Sequence, residues 1–454
     1  MRKVLAASAA AALLMTGCSA SVSVGSPSSS EPASAGTSAP ASAQPSVNPS
    51  AASSVPSSAE PNSGPFVLVS QGLEKEGAQV ALDAAANDSV AVASVLSQTT
   101  ADDYDAGIVY SDDAGQTWKW GGVLADAGKS YPEAIAMVPA GAIMVGTNQV
   151  VAGDTVASRA FLAAASAPDF VPRAVDPPAE FAGDDVHLQD VVVVGDEWVV
   201  AGYEQGKADA SGASKQTSVL WRSADQGATW TKQVVDVPGS SDNSIKQLVV
   251  APDGSWNVVG QVAFDKKSDQ YDPMWLRSTD AGATFDLVGK QELAAPFDQG
   301  VTRIVFATDG SAALLGWDEI TDEGGSTASA LWTSGPDRTV ARVGTTEVPV
   351  VGGTPPGEFI DGILWDGTTL AAWGSPTGEY PMDNVQFWGL LGGQLTQSSM
   401  LAGGGTPIAV GRILIGGNTA LAFGFSGASL PEADVAIWRG AIVAPADASP
   451  APSN

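Results

Sequence analysis

Side chains suited to chemistry are sparse in this 454-residue chain, which has one cysteine, one histidine and six tyrosines. Because Cys18 has no second cysteine to pair with, a disulfide within the chain is excluded. His187 has no second histidine for a metal site or a catalytic triad, and no Gly-x-Ser-x-Gly elbow occurs in a strand-turn-helix pattern. We interpret His187 as an incidental loop or strand-edge residue. The sequence predicts no metal, no cofactor and no histidine-based catalysis.

Four polar residues stand out because each one precedes an apolar run. Asp190 and Gln247 precede two such runs, and Arg303 and Arg412 precede two others. Runs of this kind are typical of strands buried on both faces. If they form the innermost strands of a closed ring, with Arg303 and Arg412 at the strand starts, these side chains line the mouth of a central channel. We predict a ligand-binding site there, formed by Asp190, Gln247, Arg303 and Arg412.

A repeated phrase supplies the elements that position these residues. In each copy an apolar run, a tight turn such as Asp253-Gly254 and a second apolar run end at a glycine. The closing glycines lie at positions 146, 202, 260, 316, 374 and 424, whereas the first copy, near residues 80–93, lacks one. Apolar runs that flank residues accepting positive φ predict β-hairpins. A third run, often with an aromatic residue such as Trp275, and a fourth run follow each hairpin.

Four strands repeated in this way, with no helical periodicity between them, predict an all-β fold, the β-propeller. By our count it has seven blades of four antiparallel strands, with six or eight as the alternatives. Residues 66–70 form a spare strand that we expect to close the ring by pairing with the last blade. The predicted propeller covers residues 65–443.

Three copies of a sharper motif, Ser-x-Asp-x-Gly-x-Thr-aromatic, lie between third and fourth strands. The aspartate can accept N–H bonds inside the turn, the glycine permits the bend, and the aromatic ring packs between sheets. The motif resembles the Asp box, the bacterial neuraminidase repeat of sialidases and of many propellers that are not sialidases. The resemblance implies that these boxes are structural and lie on the face opposite an active site. Their residues are Ser111, Asp113, Gly115, Thr117 and Trp118; Ser223, Asp225, Gly227, Thr229 and Trp230; and Ser278, Asp280, Gly282, Thr284 and Phe285.

The resemblance also implies what a sialidase-like site needs: three arginines, a tyrosine nucleophile paired with a glutamate, and an aspartate acid/base. Arg222 and Arg277 directly precede Asp boxes, which leaves Arg303 and Arg412 as candidates. The Phe/Tyr-Arg-Ile-Pro motif of sialidases is absent, and the Glu-Tyr pair at 379–380 lies in a predicted loop. We therefore predict a protein that is not an enzyme, with a sialidase-like glycoside hydrolase as the alternative.

The N-terminus predicts export and a lipid anchor. Arg2 and Lys3 precede an apolar run over 4–15, which is too short to span a bilayer. The ending Leu-Met-Thr-Gly-Cys18 resembles the bacterial lipobox, whose cysteine is lipidated. We expect a signal peptide over 1–17, a lipidated Cys18, and disordered Ser/Ala/Pro segments over 18–64 and 444–454. The propeller would be held at the cell membrane, outside the cytoplasm, with the lipid as its membrane contact.

Charge and loop composition limit the partners. The formal net charge of −29 argues against nucleic acid and anionic lipid surfaces as partners.

Long loops on one face of a rigid scaffold commonly carry function. We expect a glycan, peptide or protein ligand on this long-loop face, and our leading hypothesis is a non-catalytic binding or scaffolding module. A second alternative is an assembly factor for a membrane complex, because the photosystem II assembly factor family also has a propeller with similar repeats. The long, acidic connections between second and third strands are 102–105, 204–209, 265–272, 318–323, 379–383 and 432–434.

Overall fold

The computed structural model of the chain describes residues 67–440, except for 76, 88, 101–102, 125–128, 153–154, 176–180, 182–184, 208–213, 265–269, 294–297, 320–326, 344–358, 366–369, 376–385, 392–393, 401–406, 417–418 and 427–432. The predicted signal peptide, Cys18, the linker and the C-terminal tail lie outside the described residues. So do parts of each predicted acidic loop, including all of 379–383.

Within the described part of the chain, the strands form seven antiparallel sheets of four strands each. The first strands of successive sheets contact one another, and the first strand of the last sheet contacts that of the first sheet. The seven first strands therefore surround a central channel, and each sheet extends outward from it as one blade. The prediction of an all-β propeller with four-stranded blades is confirmed.

From the channel outward, each blade has an innermost, a second, a third and an outer strand. The innermost strands are β2 (Ala78–Ala86), β6 (Lys129–Val138), β10 (Val186–Val194), β14 (Asp242–Val250), β18 (Gln299–Phe306), β22 (Phe359–Trp365) and β26 (Pro407–Gly416). The second strands are β3 (Ala91–Thr100), β7 (Gly141–Ala152), β11 (Glu197–Gln205), β15 (Trp256–Ala263), β19 (Ala312–Glu319), β23 (Leu370–Ser375) and β27 (Thr419–Ser426). The third strands are β4 (Asp103–Ser111), β8 (Thr155–Ser166), β12 (Gln216–Ser223), β16 (Asp272–Ser278), β20 (Thr327–Ser334), β24 (Gln386–Leu391) and β28 (Asp434–Gly440). The outer strands are β1 (Val67–Leu68), β5 (Lys119–Val123), β9 (Val171–Val175), β13 (Thr231–Val234), β17 (Asp286–Leu287), β21 (Val340–Arg342) and β25 (Gln394–Met400).

The last blade takes its outer strand from the N-terminal side of the domain. Val67 pairs with Arg439 and Leu68 with Trp438, so β1 completes the sheet of β26, β27 and β28. The predicted closing strand is thereby confirmed. Because the two ends of the domain pair in one sheet, ring closure depends on contacts between residues that are very distant in the sequence.

The hydrophobic core lies between neighbouring blades. Trp221, Trp275 and Trp332, all on third strands, are fully buried. Trp221 belongs to a cluster that also contains Leu162 of the preceding blade. Because each cluster joins two blades, the blades are held together by apolar burial around the whole ring. A single turn of helix, α1 (Lys290–Leu293), follows β17.

The topology defines two faces of the propeller. The starts of the innermost strands and the connections from second to third strands share one face, which we call the loop face. The hairpin turns between first and second strands and the turns between third and fourth strands share the other. We call it the Asp-box face, because all three complete Asp boxes lie in those turns.

Candidate binding site in the central channel

Each of the seven described innermost strands carries a β-bulge at the same level of the channel. A bulge leaves one residue out of the ladder and redirects the side chains next to it. Repetition of the bulge in every blade brings the residues beside it to a common height around the channel. The skipped residues are Leu82, Glu133, Gln189, Lys246, Thr302, Asp361 and Gly411.

The closing glycines of the sequence repeat lie opposite these bulges. Gly202 pairs with Leu188, the residue just before the bulge of β10, and Gly260 has the same place in its blade. A Cβ atom on Gly202 would lie 2.0 Å from the backbone oxygen of His187, and one on Gly260 would lie 1.9 Å from that of Ser244. No side chain fits at such a distance, so these two bulges require glycine on the second strand, whereas the first blade has Val95 at the corresponding place.

The bulged residue and its successor form a pair on the channel wall. The pair Gln189–Asp190 is half-buried, whereas the residues on either side of it are buried. The pairs Leu82–Asp83, Lys246–Gln247 and Thr302–Arg303 show the same pattern. Because the free edge of each innermost strand borders the channel, the exposed part of these side chains faces the channel.

The four predicted ligand residues lie inside the channel, not at the strand starts. Each directly follows a bulge within its strand: Asp190 in β10, Gln247 in β14, Arg303 in β18 and Arg412 in β26. The expectation that Arg303 and Arg412 begin innermost strands is therefore wrong. The strands start earlier because polar residues upstream, such as Gln299, also pair with the second strand. An apolar run marks only part of such a strand.

Two of these side chains join their blade to the next one. Asp190 Oδ2 accepts a hydrogen bond of 2.8 Å from the backbone N–H of Leu248. Gln247 Oε1 accepts one of 2.7 Å from the N–H of Ile304. Both acceptors satisfy N–H groups on the channel edge of the following innermost strand, which has no further strand to pair with. Asp190 and Gln247 therefore contribute to the architecture of the ring as well as to its polar lining.

Asp83 and Arg412 connect the last blade to the first. Arg412 Nε lies 3.5 Å from Asp83 Oδ1, and Asp83 Oδ2 accepts a hydrogen bond of 3.1 Å from the N–H of Ile135 in the second blade. One carboxylate thus contacts both neighbouring blades. Arg303 lies two blades before Arg412, with β22 between their strands.

A second polar group, not predicted from the sequence, lies towards the loop face. Lys246 Nζ donates a hydrogen bond of 3.1 Å to Gln189 Oε1 and lies 5.8 Å from the ring centroid of Tyr203. His187 stacks on the same ring, with centroids 4.6 Å apart and planes inclined by 14°. Glu133, the bulge residue of β6, interacts electrostatically with Lys246. We call Glu133, His187, Gln189 and Lys246 the mouth cluster.

Burial controls ionisation inside the channel. It raises the pKa of Glu133 to about 7, although the charge of Lys246 opposes the shift. Burial also raises the pKa of Asp190 to about 7, although the N–H of Leu248 stabilises the ionised form. For His187, burial and the charge of Lys246 lower the pKa to about 4. Near neutral pH, His187 is therefore uncharged, and two channel carboxyl groups are close to half-protonation.

The Asp boxes form one hydrogen-bond pattern on the opposite face. Asp280 accepts hydrogen bonds from the hydroxyl of Ser278 at 2.7 Å, and from the N–H and hydroxyl of Thr284 at 2.9 and 2.6 Å. Ser278 Oγ in turn accepts the N–H of Gly282 at 2.8 Å. The boxes at 111–118 and 223–230 repeat this pattern. The aspartate is saturated by its own turn, which gives the box a structural role.

The hydrogen bonds of Asp280 predict a specific dependence of stability on pH. Those from Ser278 and Thr284 lower the pKa of Asp280 to about 2, below a value of about 3.9 in an unfolded chain. The contribution is fully present above the unfolded value and disappears as the pH falls through the folded value. We expect Asp280→Asn to reduce the loss of thermal stability between pH 4 and pH 2, measured by circular dichroism. An unchanged loss across that interval would contradict this account of the box.

The arginines that precede Asp boxes are held on that same face. Arg222 forms a two-pronged ion pair with Glu197, with both distances 2.8 Å, and Arg277 Nη2 lies 2.9 Å from Asp253 Oδ2. Glu197 and Asp253 lie in or beside hairpin turns. Arg222 and Arg277 therefore lie on the Asp-box face, as predicted, and not at the loop-face end of the channel.

The described residues contain no group of three or more His, Cys, Asp or Glu side chains arranged to hold a metal ion. In the same part of the chain, no helix has the length and apolar character needed to cross a membrane.

Comparison with known proteins identifies the repeat. The family model of the BNR/Asp-box repeat matches residues 109–119, which include the first Asp box. This chain is a β-propeller that carries Asp-box repeats. No curated protein sequence matches the Asp-box propeller described here.

Several solved structures resemble this Asp-box propeller at low sequence identity. Trypanosoma rangeli sialidase in complex with sialic acid is 11% identical with a TM-score of 0.44, covering 84% of this chain and 57% of the sialidase. YCF48 bound to D1 peptide is 10% identical with a TM-score of 0.46, covering 88% and 100%. Penicillium chrysogenum alpha-L-arabinanase complexed with arabinobiose is 14% identical with a TM-score of 0.42, covering 69% and 93%. The chain spans less than three fifths of the length of the sialidase.

Proposed function

We propose that this Asp-box propeller is a non-catalytic binding module that takes its ligand at the loop-face end of the central channel. The observation that carries the proposal is the set of polar side chains that the aligned bulges present to the channel in the described residues. A strand buried between blades should be mostly apolar, because burial of polar groups costs free energy. Polar residues at this level therefore indicate a structural or a binding role. Asp83, Asp190 and Gln247 serve the ring itself. Lys246 also bonds to Gln189 of the neighbouring blade, and Glu133 interacts electrostatically with Lys246; ligand binding is the function we assign to this charged pair.

The position of the chain ends supports display of the loop face. Val67 pairs with Arg439, and Gly440, the end of β28, pairs with Ala420 beside a hairpin turn. The chain therefore enters and leaves the propeller on the Asp-box face. We propose that the lipid on Cys18 tethers this face towards the membrane, outside the cytoplasm. The channel mouth then points away from the bilayer, towards a glycan, peptide or protein.

Two features of the channel favour binding over catalysis. Both oxygens of Asp83 are engaged, one by Arg412 and one by a backbone N–H. Burial raises the pKa of Tyr131, and the charge of Glu133 adds to the shift. The phenolate, which is the nucleophilic form, therefore forms less readily. A catalytic carboxylate needs an oxygen that can reach the substrate, and a tyrosine nucleophile needs a lowered pKa.

Cross-linking from opposite ends of one strand tests the proposal. Asp196 and Lys207 are exposed and flank β11, the first on the Asp-box face and the second on the loop face. A photo-activatable amino acid at Lys207 of the full-length protein on intact cells is expected to capture one defined partner, and the same residue at Asp196 is not. Equal capture from both positions, or capture from Asp196 alone, would contradict the proposal that the ligand binds at the loop face.

A sialidase-like glycoside hydrolase is the second candidate, favoured by one observation. Tyr131 and Glu133 lie on the same strand, both are half-buried, and the charge of Glu133 acts on Tyr131. A tyrosine paired with a glutamate is what the resemblance to sialidases implies for the nucleophile. Hydrolysis of a sialoside that is lost in Tyr131→Phe would establish this alternative.

A further inference from the structure

Lys246 occupies a fixed position on the channel wall. It is the bulge residue of β14, its ammonium group bonds to Gln189 of the neighbouring blade, and the Tyr203 ring lies beside it. Tyr203 is buried and is itself covered by His187. A lysine held by two side chains of the neighbouring blade keeps its charge at one point of the channel instead of extending it into bulk solvent.

The channel wall differs in charge from the rest of the protein. The whole chain carries 50 acidic and 21 basic residues. Among the seven bulge pairs, by contrast, four acidic residues stand beside three basic ones. The acidic ones are Asp83, Glu133, Asp190 and Asp361, and the basic ones are Lys246, Arg303 and Arg412. A strongly acidic protein thus has nearly balanced charge at this level of the channel, and protonation of Glu133 and Asp190 makes the ring of pairs net positive.

Two titratable groups interact electrostatically with Glu133: Tyr131 of β6 itself and Lys246 of β14. The elements packed around β6 also carry Asp83 on β2, Tyr104 on β4, and His187 and Asp190 on β10. Near neutral pH the tyrosines and His187 are uncharged, and Lys246 is the cation that acts on Glu133. An anion bound at Lys246 would therefore act directly on the carboxyl group of Glu133.

We propose that Lys246 binds a carboxylate group of the ligand, and that binding is coupled to uptake of one proton by Glu133. This inference rests on the proposed binding function. The ligand carboxylate bonds to the ammonium group, the ionised Glu133 takes a proton from solvent, and no covalent bond forms or breaks. Without that proton, two carboxylates would compete for one ammonium ion in a poorly solvated channel. The coupling makes binding tighter in acid than in base.

Simple carboxylates test the inference. N-acetylglycine represents a peptide carboxylate and D-glucuronate an acidic sugar, with N-acetylglycinamide and D-glucose as neutral counterparts. We expect at least one carboxylate, but neither neutral compound, to bind the full-length protein in a ligand-observed NMR titration. If binding raises the pKa of Glu133 by about one unit, affinity is about tenfold higher at pH 5.5 than at pH 8.5. The carboxylate that binds identifies the source of the ligand.

Three variants separate the parts of the inference. Lys246→Met should abolish binding of the carboxylate at both pH values. Glu133→Gln should keep the binding and reduce its pH dependence, and Asp190 accounts for what remains. Lys232→Met is the matched control, because this lysine pairs with Glu204 on the outer part of a blade, and the variant should bind like the wild type. Thermal melting of each variant confirms that it is folded.

Three results would overturn the inference: no binding of either carboxylate, equal binding of the neutral compounds, or retained binding in folded Lys246→Met. Partner capture from Lys207 combined with any of these would leave the binding module in place and reject the carboxylate site. Loss of capture from Lys207 would reject the binding module itself. The two failures are therefore distinguishable.

Discussion

Gly260→Ala is expected to destabilise the propeller by about 3 kcal/mol or more. The new Cβ would lie 1.9 Å from the backbone oxygen of Ser244. That oxygen belongs to the strand that forms the bulge, so relief requires the bulge to open, together with the pairing of β14 and β15. We expect a lower urea midpoint and a lower melting temperature, with Lys246 displaced from its position.

A glycine of the neighbouring hairpin turn provides the control. Gly254 has φ of +79°, and a Cβ atom there would meet nothing within 4 Å. Gly254→Ala should therefore show only the strain of a left-handed backbone, about 1 kcal/mol. Equal destabilisation by the two substitutions would contradict the assignment of the closing glycines to the bulge, as would a negligible effect of Gly260→Ala.

Asp83→Ala is expected to destabilise the fold by about 3 kcal/mol, because it leaves a half-buried Arg412 without this partner. It also removes the acceptor for the N–H of Ile135, so contacts to both neighbouring blades are lost at once. The side chains of Asp83 and Arg412 are only 15% and 23% exposed, so solvent compensates little. The effect is measured as a change in urea midpoint.

An exposed ion pair of the same blade serves as the control. Asp112 and Lys119 pair at 2.8 Å, with side chains about half exposed at 49% and 50%. Asp112→Ala should change stability by less than about 1 kcal/mol, since exposed pairs contribute little. If Asp83→Ala were as mild as Asp112→Ala, the junction between the last and first blades would not depend on this carboxylate.

The sequence predicted the four-stranded blades and the closing strand because both depend on local patterns. Apolar runs, turn residues and the spacing of the closing glycines repeat within each blade. The Asp boxes are also local, since every hydrogen bond in the box of Asp280 lies within seven residues. Patterns of this kind can be recognised without knowing which strands are neighbours in space.

The mouth cluster could not be predicted in the same way, because it depends on strand register. A bulge skips one residue, and hydropathy does not show which one. The partner of Asp190 is Leu248, 58 residues away in the next blade. One signal was present, however. Gln189 and Lys246 directly precede the predicted Asp190 and Gln247, so extending the repeat by one residue would have included the bulge ring.

Turnover of glycosides tests the central claim, a non-catalytic channel site, most directly. The purified full-length protein is assayed with a fluorogenic sialoside and a panel of related glycosides, beside Tyr131→Phe and Glu133→Gln variants whose folding is verified by thermal melting. The proposed binding module predicts no turnover above background by the wild type or by either variant. Turnover by the wild type that Tyr131→Phe or Glu133→Gln abolishes would contradict the claim and make the channel a glycoside hydrolase site.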